Sequence, residues 1–374
     1  MFRSETRLPH LLTPDAYFNP QQAVREEPLL RQSWHPVALV EQFAKPGDFV
    51  TCEIAGEAVQ IRNFDGELRA LSNVCAHRHC LISSCSRGNS ETMRCQYHGW
   101  EYGHDGRTRR IPASSNFRPF NFSGEQIPTF RVEPCGPLVF VSPSPSGPGL
   151  SDVLGEFHSR LEGRTSAEWR PFLVQEMEHQ ANWKVVVENT LEAYHVPYIH
   201  PETFKETPPE QKSEHRFSDV GTSFHSTLPF APESKMDAWF QQREGQFLRW
   251  LGRPVTSEYS QYHLFPNLLF SMTDAVTLSH CVLPTGPDTC RSIIFQFGIC
   301  PERAILKRQV SRVWGRLTAW LTRQIMMEDA SLFPKIQKGL RSSSGAGVLG
   351  RCEERLHSFQ SYISEQTQSM SRAA

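Results

Sequence analysis

Cys75 and His77 are separated by one residue, and Cys95 and His98 by two. Each pair supplies a thiolate and an imidazole, so a fold that uses both must bring two short loops to one point. Two sulfurs and two nitrogens suit a [2Fe–2S] cluster with both cysteines on one iron and both histidines on the other. A tetrahedral zinc ion takes the same four atoms. Zinc sites usually open with two cysteines about two to four residues apart, and here each cysteine is followed by a histidine instead. The cluster is therefore favoured, with zinc as the lesser alternative.

At 374 residues the chain exceeds one average domain, and two units with separate cores are expected. A net charge of −1 without a basic block implies neither nucleic acid nor a membrane surface as partner. No apolar run reaches the roughly 20 residues of a spanning helix, and residues 1–14 lack the apolar core of a secretory signal. A cytoplasmic enzyme is the default expectation. Ten cysteines over this length fit a reducing compartment. Cys52, Cys135, Cys281, Cys290, Cys300 and Cys352 read as small buried apolar residues.

From Trp34 to about residue 143 the pattern is of short strands with turns at Lys45–Asp48 and Asp65–Gly66, an antiparallel β unit. The Pro- and Ser-rich stretch 142–149 reads as a linker. Residues 1–33 are expected to pack on the second unit, 144–374. That unit reads as α+β, with a helical segment near 183–200, a polar irregular stretch at 201–235, strands from 262 to 297, and a long helix over about 301–340. Gly345-Ala-Gly347-Val-Leu-Gly350 matches a dinucleotide fingerprint as a string. It follows a helix rather than a strand, so electrons must come from a partner.

A second constellation lies in Asn182-Trp183-Lys184, Glu188-Asn189 and Glu192-Ala-Tyr-His195-Val-Pro197-Tyr-Ile-His200. The histidines lie five positions apart, which leaves them about 140° apart on a regular helix. Pro197 is expected to open the helix and let them converge. Glu192 can accept the second ring proton of His195. Two histidines and one carboxylate on one face of a ferrous ion leave the other face open for oxygen and substrate. Asp329, beside Glu328 on the long helix, is the best candidate for the carboxylate.

These motifs together resemble the α subunit of Rieske non-haem iron oxygenases. They are C-A-H-R at 75–78, C-Q-Y-H-G-W at 95–100, N-W-K with E-N-x-x-E-x-x-H-x-x-x-x-H over 182–200, and E-D with Q-x-G over 328–339. The family includes ring-hydroxylating dioxygenases, monooxygenases and demethylases. The resemblance implies an α+β chain, with an N-terminal all-β Rieske domain (34–143) and a C-terminal catalytic domain (144–374) of helix-grip type, an antiparallel sheet with a long helix. It assigns Cys75, His77, Cys95 and His98 to the cluster and His195, His200 and Asp329 to the iron. Asn189 and Glu192 join the catalytic set, with Glu192 as the carboxylate that links a cluster histidine of one subunit to the iron of the next. It implies a homotrimer, a small-molecule substrate, O2, and NAD(P)H used through a reductase, with or without a ferredoxin.

Glu at 192, and one residue fewer between it and Asn189 than in the ring-hydroxylating pattern, resemble the subgroup acting on carnitine, choline or glycine betaine. Hydroxylation or N-demethylation of a quaternary ammonium compound is the expected reaction. An aromatic ring-hydroxylating dioxygenase is the alternative, and an electron-transfer protein using only the cluster is the rival from another class. Respiratory Rieske proteins carry a disulfide whose first cysteine falls at Cys80, but Tyr97 stands at the second place. His79 replaces the usual Gly after Arg78, and Pro334 is expected to kink the helix beyond Asp329. Phe224, Trp239, Phe240, Tyr259, Tyr262 and Phe270 are candidates for a pocket that suits a cation, although an ordinary core is expected for most of them.

Overall fold

Alternating apolar residues between His35 and Ser142 build a seven-stranded antiparallel sheet in the order His35–Leu39, Leu138–Ser142, Thr129–Cys135, Glu67–Ser72, Glu57–Phe64, Asp48–Ile54, Arg87–Asn89. The computed structural model describes residues 2–120, 126–164, 168–200, 203–204, 206–226 and 232–373. Asp65 and Gly66 have φ of 53° and 99°, the paired positive values of a tight hairpin turn. Ala55 and Gly56 make the same turn at 48° and 79°, at a place that no Asn-Gly or Asp-Gly marks. A three-stranded sheet of Met93–Arg94, Glu101–Tyr102 and Thr108–Arg110 belongs to the same unit, which comprises Leu30–Gly163.

That unit runs past the expected boundary at residue 143, because the helices Leu150–Leu154 and Glu156–Arg164 follow the linker. Leu150, Leu154, Phe157 and Leu161 give them a buried apolar face. At the other end the boundary at Leu29 falls inside the helix Pro20–Gln32 rather than at residue 33.

The second unit is Met1–Leu29 with Arg164–Ala374. Its seven-stranded antiparallel sheet has the order Trp169–His179, Thr289–Ile299, Val276–Gly286, Leu268–Met272, Tyr259–Leu264, Gly221–Ser226, Glu214–Ser218. The stretch 201–235, expected to be irregular, supplies the last two of these strands. Trp169–His179 was also unmarked in the sequence, since much of it is only half-buried and the apolar alternation is weak. The helix Ile305–Ala330 packs on the strands Trp169–His179 and Thr289–Ile299. Gly315 makes this close approach possible, because a Cβ there would collide with the Phe172 ring.

The long helix stops at Ala330, and Phe333–Ser342 starts a new one with Pro334 in its first turn. Proline is well tolerated there because its missing N–H has no intrahelical partner to lose. The break thus precedes Pro334. Val348–Leu349 of the glycine-rich string pairs with Leu8–Pro9, so the string is a connection between helices and not a nucleotide-binding βαβ unit. No helix among the described residues is long and apolar enough to cross a membrane.

Candidate active site

Both cysteine–histidine loops close in the same way. His79 N–H donates to Cys75 O at 2.9 Å, and Gly99 N–H donates to Cys95 O at 3.0 Å. The fifth residue of each loop is left-handed, with φ of 57° at His79 and 73° at Gly99. His79 therefore takes the torsion for which glycine is the usual choice. Cys75 and Cys95 are buried, His77 is half-buried and His98 is exposed.

The Tyr102 hydroxyl lies 3.0 Å from Cys75 Sγ and accepts from Ala76 N–H at 3.0 Å. Burial, ahead of that thiol, holds its pKa far above the ordinary phenol value. No motif pointed to Tyr102. The His77 ring stacks on Trp100 at 4.9 Å and meets His98 at 4.6 Å. His77 Nδ1 is buried without a hydrogen-bond partner among the described residues, which is where a metal ligand would be satisfied. All ten cysteines are free, and the Cys80 thiol donates to its neighbour Leu81 O at 3.4 Å. Cys52 and Cys352 are half-buried, whereas Cys135, Cys281, Cys290 and Cys300 are buried as expected.

In the other unit His195, His200 and Asp329 converge, each offering one ligand atom within 4.8 Å of the others. Asp329 Oδ1 stands 3.2 Å from His200 Nε2 and 3.6 Å from His195 Nε2. It is buried and meets no hydrogen-bond partner among the described residues. A carboxylate oxygen left in this state between two imidazole nitrogens fits a divalent cation. The outer nitrogens are held by acids: Glu192 Oε1 at 2.5 Å from His195 Nδ1, and Glu328 Oε2 at 2.7 Å from His200 Nδ1. The Thr203 hydroxyl also donates to Glu328, at 2.6 Å. Each histidine thus presents Nε2 to the centre. In the sequence, adjacency to Asp329 is the only signal of the part Glu328 plays.

The histidines converge for a different reason from the one their spacing suggested. The helix Trp183–Asn189 ends before them, and His195 caps a four-residue helix, Val196–Ile199, with Pro197 in its first turn. Thr190 Oγ1 donates back to Val187 O at 2.7 Å, and Glu192 Oε2 accepts from His195 N–H at 3.1 Å. These side-chain bonds replace the helical ladder and open the chain upstream of Pro197.

The flanking motif residues anchor this segment. Asn182 caps the helix by accepting from Lys184 N–H at 2.9 Å, and its own N–H donates to Gln337 Oε1 at 2.8 Å. Lys184 Nζ and Trp183 Nε1 both donate to the buried Glu26 carboxylate, at 2.7 and 3.0 Å. Glu188 accepts from Tyr17 Oη at 2.6 Å and from Gln360 at 3.0 Å.

A chamber of about 300 Å3 opens over the triad. Asn189 and Glu192 line it, as do Phe204, Phe240, Tyr262 and Phe270. Tyr259 lines both this chamber and an adjoining one, and Trp239 lines the second alone. Of the six candidate aromatics, Phe224 is the one that lines neither; it is buried beneath the Arg355 guanidinium, 5.3 Å away. His280, also on the chamber wall, is held neutral by burial, with its pKa lowered to about 3. Burial likewise depresses the pKa of Arg355, which donates to Gln261 at 2.9 Å and pairs with Glu210 at 3.5 Å.

Residues 33–131 match the Rieske [2Fe-2S] domain, and residues 166–369 match the ring hydroxylating alpha subunit (catalytic domain). The carnitine monooxygenase oxygenase subunit of Acinetobacter pittii is 26% identical over 348 residues, covering 89% of this chain and 86% of its own. The chloroplastic choline monooxygenase of Arabidopsis thaliana is 26% identical over 346 residues, with 87% and 75% covered. A crystal structure of a quaternary ammonium Rieske monooxygenase in complex with L-carnitine superposes with a TM-score of 0.74 at 21% identity, covering 97% of this chain and 96% of that one. The paired cysteine–histidine loops, the buried triad and the match through both domains place this chain in the ring-hydroxylating oxygenase α-subunit family, Rieske oxygenases that carry a [2Fe–2S] cluster and a mononuclear iron.

Proposed function

We propose that the chain hydroxylates a C–H bond next to the nitrogen of a small quaternary ammonium compound, using O2 and electrons that a reductase, with or without a ferredoxin, takes from NAD(P)H. The observation that carries this is the aromatic-walled chamber directly over His195, His200 and Asp329. Similarity over most of the chain to carnitine and choline monooxygenases supports the substrate class.

Cys75, Cys95, His77 and His98 hold the cluster in this proposal, and His195, His200 and Asp329 hold the iron. The two groups supply electrons one at a time and oxygen activation. The protein's part is to position and to exclude water. Glu192 and Glu328 hold the proton of each histidine on Nδ1, so both Nε2 atoms face inward as neutral donors. Phe204, Phe240 and Phe270 keep the substrate carbon dry. Hydroxylation of an N-methyl group, with two electrons, two protons and O2 and with release of water, leaves a carbinolamine. This collapses to formaldehyde and the demethylated amine.

Glu192 also has the place of the link between subunits, and a homotrimer follows from that role. Its carboxylate already accepts from His195 twice, and its remaining lone pairs leave room for a further donor. Tyr194 and Tyr198, 66% and 74% exposed beside it, offer apolar surface for a neighbour.

Oxygen uptake with a competent reductase tests the substrate class. Choline, L-carnitine or glycine betaine should stimulate uptake and yield a dealkylated or hydroxylated product. Stimulation by anthranilate or naphthalene alone, with a cis-diol or phenol as product, would replace this proposal with ring hydroxylation.

A further inference from the structure

The chamber over the triad shares a wall with a larger cavity of about 520 Å3. Phe204, Phe240, Glu244, Tyr259 and Thr273 line both. Glu244 is the one carboxylate among these shared residues. It lies on the helix Lys235–Leu251, whose N-terminus Ser234 caps by accepting from Asp237 N–H at 3.4 Å. The residue is half-buried, with its carboxyl end enclosed between the cavities and hydrogen-bonded by the Thr273 side chain.

The ionisable side chains that line the outer cavity are acidic. Glu206, Asp237, Glu244, Glu258 and Asp274 line the outer cavity, and no Lys, Arg or His does so among the described residues. Glu206 is held by the N–H groups of Glu233 and Ser234, and Asp274 by the N–H groups of Thr256 and Ser257, so neither negative charge is neutralised there. Trp239 and Trp320, 49% and 58% exposed, line the same cavity; the Arg243 guanidinium stands 5.6 Å from the Trp239 ring, which leaves Trp320 as the ring without a cation in the structure's described contacts. Inside, Arg355 is the only lysine or arginine on the chamber wall among the described residues, and it is paired with Glu210. Burial and the neighbouring Asp274 charge push the Glu244 pKa up to about 7, as expected for a carboxylate that lacks a cation.

We infer that Glu244 is the specificity-determining residue that admits a cationic substrate, at the neck between an acidic outer vestibule and the metal chamber. A quaternary ammonium group cannot donate a hydrogen bond, so it is recognised by ring faces and by a fixed negative charge. The vestibule raises the local concentration of such a cation, and Glu244 with Phe240 and Tyr259 receives it at the neck. This rests on the quaternary ammonium reading above, and adds which residue enforces it. A neutral molecule of the same shape would gain the apolar contacts and lose the charge.

The test compares choline with 3,3-dimethyl-1-butanol, its uncharged isostere, by calorimetric titration of the protein loaded with cluster and iron. The wild type should prefer choline by roughly ten-fold or more, equivalent to about 1.4 kcal/mol. Glu244→Gln should lose most of that preference while binding the neutral isostere unchanged, with iron content and visible spectrum intact. If that variant does not hold its iron, Glu244→Met carries the same comparison. Retention of the choline preference in the variant overturns the role of Glu244 and leaves the substrate class standing. A wild type that shows no choline preference, and no oxygen uptake with L-carnitine or glycine betaine, overturns the substrate class and Glu244 with it.

Discussion

Glu328 Oε2 lies 2.7 Å from His200 Nδ1, while the adjacent Asp329 places Oδ1 3.2 Å from the other nitrogen of the same ring. One acidic pair on one helix therefore serves both sides of a single imidazole. Glu328→Gln leaves the proposed ligand set complete but removes the charge behind His200. Iron affinity should fall by roughly 10–100-fold, measured as loss of iron to a chelator competitor. Unchanged retention would reduce Glu328 to a solvated helix acid.

Glu192→Gln tests the link between subunits. With ferrous iron in excess, both centres should remain bound, and the reduced cluster should be reoxidised by oxygen and substrate at least about ten-fold more slowly. Stopped-flow absorbance reads this directly. Wild-type reoxidation would remove Glu192 from the route.

Lys184 and Glu26 form a fully enclosed ion pair at 2.7 Å. Burial lowers the Lys184 pKa and Glu26 opposes that shift. Lys184→Met alone leaves an uncompensated buried charge and should cost about 3–5 kcal/mol in denaturant unfolding. Adding Glu26→Gln should restore a large part of the loss, and strictly additive costs would show that the two side chains do not act as a pair.

Gly315→Ala places a methyl against the Phe172 ring at the contact between the long helix and the sheet. A loss of about 1–3 kcal/mol is expected despite the better helix propensity of alanine. Phe172→Leu in the same background should return part of it. A stabilised single variant would contradict the close approach.

Glu244 supplies a pH dependence whose sign is set by its raised pKa. Its carboxyl faces Asp274 and accepts from the Thr273 side chain, with no cation among the described residues on the vestibule wall. A carboxyl at about 7 when folded and near its ordinary 4.5 when unfolded contributes stability at low pH, and loses it as pH rises through about 7. Glu244→Gln should therefore gain in Tm relative to wild type between pH 5 and about 8. In the wild type choline affinity should rise over the same range, and affinity for the neutral isostere should not. A Tm difference independent of pH would mean that the carboxyl titrates in its ordinary range.

Short motifs carry their geometry with them, and for that reason both candidate metal sites are legible in the sequence. The loops Cys75–His79 and Cys95–Gly99 are local turns, closed by their own backbone bonds. The alternation from Asp48 to Ser72 marks strands because each pairs with a neighbour across a short turn. The strands Glu214–Ser218 and Gly221–Ser226 escaped notice, since polar residues occupy much of both and their regularity comes from pairing within the sheet. At both prolines the chain is interrupted just upstream, as a new helix start and not as a kink within a continuous helix. Pro197 and Pro334 each sit in the first turn of a new helix, and the breaks before them are made by side-chain bonds and chain direction that no proline reports.

Residue types and spacing alone determined which atoms are available: two thiols, four imidazoles and a carboxylate, with the order of the two domains. That information is local, because ligand identity depends on side-chain chemistry and short loops. Tertiary structure decided which acid faces which nitrogen. Glu328 and Asp329 are neighbours in sequence, and only the direction of the helix relative to His200, 128 residues away, separates their tasks. It also decided where charge has no partner. Glu244 looks like any surface acid in the sequence, and its place at the neck between two cavities, the outer one lined by acids and no cation among the described residues, exists only once helix, sheet and loops have closed around its carboxyl group.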